Sequence, residues 1–237
     1  GDIKSTVTGN DFAVGATFGI EGTFGPTRLG FSYRSKIEHD FEGDIELAGG
    51  DVSALSSLLP GFSGSIARNG GADFKIATPW IATLGVAHQL NDQVELYGSA
   101  MRVGWSAFED TVVTYENGLP ETVVKNGWDD KTYLALGAGY RVNDKLMLRA
   151  RIAYDPTPTP DEVRNPRAPN ADRIYTGLGA SYVFDSGFEL SASWAHTFFD
   201  AAPIGLDLGN GNTLNGDINA LFNQIDMPVS KLKLDIE

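Results

Sequence analysis

The chain has no cysteine among its 237 residues, which excludes a disulfide framework, a thiol nucleophile and a thiolate metal site. Nor does it contain an apolar run near the twenty residues that a membrane-spanning helix needs. A membrane β-barrel stays open, because its strands carry a far weaker signal per segment. Positive charge is scarce: 18 Lys and Arg stand against 31 Asp and Glu, a net charge of −13. That balance argues against a nucleic-acid partner, whose phosphates demand a cationic surplus. The three histidines, His39, His88 and His196, are isolated, so neither a Ser-His-Asp triad nor a histidine metal cluster is in prospect. The stretch "DLGNGN" (207–212) does not match a twelve-residue calcium loop and reads as solvated loop. No cofactor, no metal and no enzymatic activity are expected.

What is present is alternation, which places successive side chains on opposite faces of a strand. In 132–142, Thr132, Leu134, Leu136, Ala138, Tyr140 and Val142 share one parity, and Ala135, Gly137, Gly139 and Arg141 the other. After the turn Asn143-Asp144, Leu146, Leu148, Ala150, Ile152 and Tyr154 oppose Lys145, Arg149, Arg151 and Asp155. Segments 173–184 and 188–198 repeat the plan, as do Leu29, Phe31, Tyr33 and Ile37 against Arg28, Arg34, Lys36 and Glu38, and Trp80 to Val86 against Thr83, Gly85 and Gln89. A soluble sandwich and a membrane barrel both alternate. Three features favour the barrel. Aromatics (Tyr33, Trp80, Tyr140, Tyr154, Tyr182, Phe184, Phe188) collect near the ends of the apolar faces, as interfacial girdles do. The opposite face is small, polar or charged. Tight turns (Gly25-Pro26, Asn91-Asp92, Asn143-Asp144, Asp185-Ser186-Gly187) alternate with long polar connections near 49–72, 109–129, 155–172 and 200–216.

The reading is therefore an all-β fold, an antiparallel transmembrane β-barrel with about ten strands in one domain, 1–237. Arg102 departs from the pattern, sharing parity with Val94, Leu96 and Ala100. It is either interfacial or follows a bulge near Met101 that also turns Val103 and Trp105 outward, and the bulge is the expectation. In "YDPTPTPDEVRNPRAPNADR" (154–173) the prolines stop strand pairing. Asp155 and Arg173 share inward parity at its two ends, which predicts a charge pair, with Asp172 as the other acid in reach.

The stretch "LRARIAYDPTPTPDEVRNPRAPNADRIYTGLGASYVF" resembles the FadL family of outer-membrane transporters for long-chain fatty acids and other hydrophobic compounds. The likeness lies in a strand ending aromatic-Asp, a proline-rich loop, and Pro169, Asp172 and Arg173 opening the next strand. "FSYRSKIEHDFEGDIEL", "IATPWIATLGVAHQL" and "KNGWDDKTYLALGAGY" resemble the same family, in family order. The resemblance implies a barrel of about fourteen strands plugged by a small N-terminal hatch, a hydrophobic pocket and a lateral exit through a kinked wall. Nothing in the chain resembles the hatch, so it is expected to be the C-terminal part of such a barrel. It also lacks the usual terminal aromatic.

The expected function is passive uptake of hydrophobic small molecules, above all long-chain fatty acids, through the outer membrane of a Gram-negative bacterium. Outer-membrane lipids and lipopolysaccharide are the expected surroundings, and the monomer the expected state. A carboxylate needs a cation, and an unpaired buried charge is costly. Lys125 falls near the position of a pocket lysine in the family, and Arg151 and Arg173 have inward parity, so these three are candidate ligand contacts. Leu55, Leu58 and Leu59, at helical spacing in "DVSALSSLLPGF", are a candidate landing site for a greasy substrate or a rim-packing segment. The preferred fate of Arg34 and of Arg149 and its neighbours is an ion-pair network with Asp155, Asp172, Glu189 and Glu38. The competing functions are a general porin or structural, adhesive barrel without a hydrophobic pocket, and a lipid-acting barrel enzyme.

Overall fold

The computed structural model describes residues 4–48, 70–116, 121–164, 170–209 and 212–217. They fall into two compact units. The larger unit is built on an eight-stranded antiparallel sheet. Its strands in chain order are β2 (Thr17–Phe24), β3 (Thr27–Arg34), β6 (Ile81–Gln89), β7 (Val94–Val103), β10 (Lys131–Arg141), β11 (Leu146–Asp155), β12 (Arg173–Val183) and β13 (Glu189–Phe199). They lie side by side in that order, each antiparallel to the next. A separate hairpin, β14 (Pro203–Gly209) with β15 (Asn212–Asp217), completes this unit. The smaller unit is a sheet in the order β1-β4-β5-β8-β9: Lys4–Asn10, Ile37–Ala48, Gly70–Thr78, Thr111–Tyr115 and Thr122–Val124.

The described residues form fifteen strands in three sheets, more than the ten expected, and eight of them make the large sheet. Strands occupy parts of 109–129 and 200–216 and the end of 49–72, where the residue pattern suggested only loop. β8 and β9 are short runs of valine and threonine, and β14 and β15 are broken by glycine and asparagine, so none of them stands out from loop by alternation.

Turn chemistry places all four tight turns at one end of the large sheet. Asn91 Oδ1 accepts hydrogen bonds from the Gln93 and Val94 amides, both at 2.9 Å, and Asn143 Oδ1 does the same for Lys145 and Leu146 at 2.9 Å. An Asn side chain that imitates a backbone turn closes a hairpin without any special backbone strain. The β2–β3 and β12–β13 turns instead use glycine in the left-handed region, Gly25 at φ 57° and Gly187 at φ 84°. Every long connection leaves from the opposite end.

The register settles which way each side chain points. Leu134 pairs with Tyr154, Tyr154 with Ile174 and Ile174 with Phe198. One face therefore carries rows of large apolar groups, and we call it outward. These groups are exposed: Leu136 is 67% accessible, Leu178 59%, Leu84 57% and Phe198 53%. Among the described residues no large side chain is fully buried, and apart from Pro158 the buried apolar side chains are Ala72, Val103, Ala153, Ala171 and Ala202. A soluble sandwich would have turned this face into its core. An exposed apolar wall of strands of 10 or 11 residues, the length of β10 to β13, matches the 9–11 residues with which a tilted strand crosses hydrocarbon. Aromatics edge it as expected, with Tyr33 and Trp80 stacked at 6.4 Å at the long-connection end and Tyr182, Phe184 and Phe188 in contact at the other.

The bulge expected near Met101 is absent. β7 keeps unbroken register with both neighbours, Ala82↔Arg102 on one side and Thr132↔Arg102 on the other. Val103 stays inward and is buried. Arg102 is outward at the last residue but one of β7, where Arg102 Nη1 donates to Thr132 Oγ1 at 3.1 Å and Arg102 Nη2 lies 3.7 Å from Asp130. At the rim of the apolar belt a charged side chain costs little, so no bulge is needed.

If the outward face meets hydrocarbon, Leu136→Arg should cost about 2–4 kcal/mol, whereas on a water-exposed face it would be nearly neutral. Urea titration of folding into lipid bilayers measures the difference.

Candidate functional site

The inward face of the large sheet carries two arginines on β11, each flanked by glycine on both neighbouring strands. Arg149 pairs with Gly139 and Gly179, and Arg151 with Gly137 and Gly177. The glycines give the arginine stems room to lie along the wall: a Cβ at Gly177 would meet Arg151 Cγ at 3.0 Å. An open hollow of about 740 Å³ lies along this part of the sheet. Arg149, Arg151, Arg28, Glu21, Tyr97 and Tyr133 are among the residues that line it.

Among the described residues the expected charges do not share one direct ion-pair network; most resolve into separate pairs. Arg173 Nη2 lies 2.7 Å from Asp155 Oδ2, the charge pair expected at the base of the proline-rich loop. Its guanidinium sits over the Tyr175 ring at 5.9 Å, and its Nε is buried without a partner. Asp172 does not join that pair. It accepts from the Tyr154 hydroxyl at 2.6 Å and the Thr157 amide at 2.8 Å. Glu38 pairs with Lys36 at 2.6 Å in the smaller unit, and that hydrogen bond holds its carboxyl below the ordinary value. In the same unit the hydrogen bond from His39 likewise lowers Asp11. Arg34 ends β3, exposed, with no ion pair among the described residues. Local partners win because a nearby acid orders less chain than a distant one.

Arg149 does reach Glu189, but only through two hydroxyls. Arg149 Nη1 donates to Ser181 Oγ at 2.9 Å, Ser181 Oγ is 2.8 Å from Ser191 Oγ, and Ser191 Oγ donates to Glu189 Oε1 at 3.2 Å. Arg151 Nη2 donates to the Tyr133 hydroxyl at 3.0 Å, and among the described residues it forms no ion pair. Lys125 is exposed in the smaller unit, next to Asn126, whose buried amide donates to the Glu109 carbonyl at 2.8 Å. Leu55, Leu58 and Leu59 lie outside the described residues.

Residue patterns gave no hint of Arg164. Its guanidinium is nearly sealed inside the proline-rich loop, donating to the Thr159 carbonyl at 2.8 Å, the Asn170 carbonyl at 3.0 Å, the Asp161 carboxylate and the Pro203 carbonyl. The Gly205 amide donates back to the Asp161 carbonyl at 2.9 Å. The loop is thereby tied to the start of β14. Parity cannot find such a residue, because loops have no parity.

A sheet with one lipid-type face, one polar face, short turns at one end and long connections at the other is the wall of an outer-membrane β-barrel; the described strands do not close it. Residues 1–221 match the model of the outer membrane protein transport protein family (OMPP1/FadL/TodX), and the chain belongs to that family. It is 28% identical to outer membrane protein P1 of Haemophilus influenzae over 71% of this chain and 34% of that protein. It is 25% identical to the long-chain fatty acid transport protein of Escherichia coli over 71% of this chain and 38% of that one. The chain thus spans less than half the length of these curated relatives. Among solved structures, a Pseudomonas aeruginosa FadL homologue superposes with a TM-score of 0.69 at 28% identity, covering 87% of this chain and 48% of that one. A TodX monoaromatic hydrocarbon channel lacking S2 shares the fold at a TM-score of 0.56 and 20% identity, over 80% of this chain and 44% of that one.

Hydrogen bonds to a charged group contribute about 1.5–3 kcal/mol, so Arg164→Ala should destabilise by about 2–3 kcal/mol and open 155–172 to protease. Undiminished protease resistance of the intact, membrane-inserted protein would show that the loop is held elsewhere.

Proposed function

We propose that this chain forms wall and ligand surface of an outer-membrane channel for passive uptake of hydrophobic small molecules, long-chain fatty acids first among them. One observation carries the reading: an open hollow of about 740 Å³ along the sheet, bordered by Arg151, whose partner among the described residues is the Tyr133 hydroxyl. A fatty acid needs room for a tail and one cation for its head, and a water-filled general porin needs neither. Family membership and the relative named as a long-chain fatty acid transport protein support it. The protein works as a monomer among outer-membrane lipids and lipopolysaccharide, as a channel and not an enzyme.

Of the three head-group candidates, Arg151 is the strongest. Arg173 is committed to Asp155. Lys125 stays a candidate for an outer contact, with Leu55, Leu58 and Leu59 as the apolar landing surface.

The full-length gene product should bind a fluorescent fatty acid saturably and release it to oleate. Arg151→Gln should weaken that binding about tenfold, about 1.4 kcal/mol, and Lys125→Ala by less. Absence of saturable, oleate-sensitive binding contradicts the reading.

A further inference from the structure

Arg149 and Arg151 stand two residues apart on one face of β11, yet their surroundings differ. Arg151 touches a neutral phenol. Arg149 is joined through Ser181 and Ser191 to the carboxylate of Glu189. A guanidinium can only donate and an ionised carboxylate can only accept, so both hydroxyl protons are aligned toward Glu189. That alignment turns the oxygen of Ser181 toward Arg149 and spends part of its donor capacity. Ser181 is itself 7% exposed, so water does not readily replace it. Glu189 opens β13 beside the Gly187 turn, which places this chain of hydrogen bonds on the short-turn side of Arg149.

Residues i and i+2 of a strand lie about 6.6–6.8 Å apart, one short step for a carboxylate. Glycine on both sides of each arginine leaves both guanidinium groups open to the hollow. Conduction through a series of sites requires entry sites that bind and exit sites that release. The two arginines differ in that sense and lie in that order.

We propose that Arg151 and Arg149 are a tight and a loose station for the anionic head of an amphiphile, passed along β11 toward the short-turn end. Ser181, Ser191 and Glu189 make the second station loose by competing for Arg149. This assignment rests on the uptake reading above and adds a direction and a rate-controlling group to it. It also makes the wall selective in rate for carboxylates over neutral chains of equal length.

The test uses the full-length gene product in proteoliposomes, with oleate and oleyl alcohol as paired probes. Arg149→Gln should leave equilibrium oleate binding within about twofold and slow oleate transfer about tenfold, since the charge-assisted contact is lost only at the second station. Glu189→Gln should act in the opposite sense on binding, tightening oleate severalfold while also slowing its release. Oleyl alcohol transfer should not change in either variant. The assignment is overturned if Arg149→Gln weakens oleate binding as much as Arg151→Gln does, if Glu189→Gln changes neither binding nor release, or if both probes slow equally. Oleate that neither binds nor passes through the wild-type protein overturns the uptake reading with it; wild-type transfer that both variants match overturns this assignment alone.

Discussion

Backbone hydrogen bonding in the absence of water is the constraint from which the rest follows. Inside hydrocarbon an amide without a partner costs several kcal/mol, so a chain with no long apolar helix can cross only as paired strands. The large sheet meets that demand with eight strands in continuous register, and the register carries through from β2 to β13 without a bulge. Continuous register fixes parity, because slipping by one residue would exchange the faces. Outward therefore stays apolar from one strand to the next, and inward stays free for charge. Arg102 shows how firm this is: the ladder holds its register, and the arginine finds Thr132 and Asp130 at the rim.

The inward face is governed by economy of space. Cations on a wall need room, and the wall supplies it with glycine rather than with curvature alone. Gly137, Gly139, Gly177 and Gly179 surround the two central arginines of β11 and let their stems lie flat. Nearby acids are taken by nearer partners, Asp155 by Arg173 and Asp172 by Tyr154. Arg149 and Arg151 remain beside an open hollow in a chain whose net charge is −13.

Much of the wall was legible in the residues because period two survives in every membrane strand, and Asn-Asp and Gly turns have few other uses. "RAR" at 149–151 beside "GAG" at 137–139 and "GLG" at 177–179 already contains the arginine strip once the register is known. The register itself was not legible, so the serine bridge from Arg149 to Glu189 could not be seen, and a direct ion-pair network looked simpler. Arg164 escaped for another reason: its four acceptors are mostly backbone carbonyls, which every residue has. β8 and β9 of the smaller unit hid within the connection 109–129, where they alternate too briefly to announce themselves.

These 237 residues contain no cysteine, so a thiol introduced into them is unique within this stretch once any cysteine elsewhere in the full-length protein is replaced by serine, and the central claim becomes directly measurable. Single variants Ala150→Cys, Arg151→Cys, Ile152→Cys and Ala153→Cys, labelled with a fluorophore in the bilayer-inserted full-length protein, report each face of β11 in turn. Quenching by brominated lipid should be strong at 150 and 152 and weak at 151 and 153. Equal quenching at all four positions, or the reverse alternation, would contradict the assignment of the apolar face to lipid and of the arginine face to the channel.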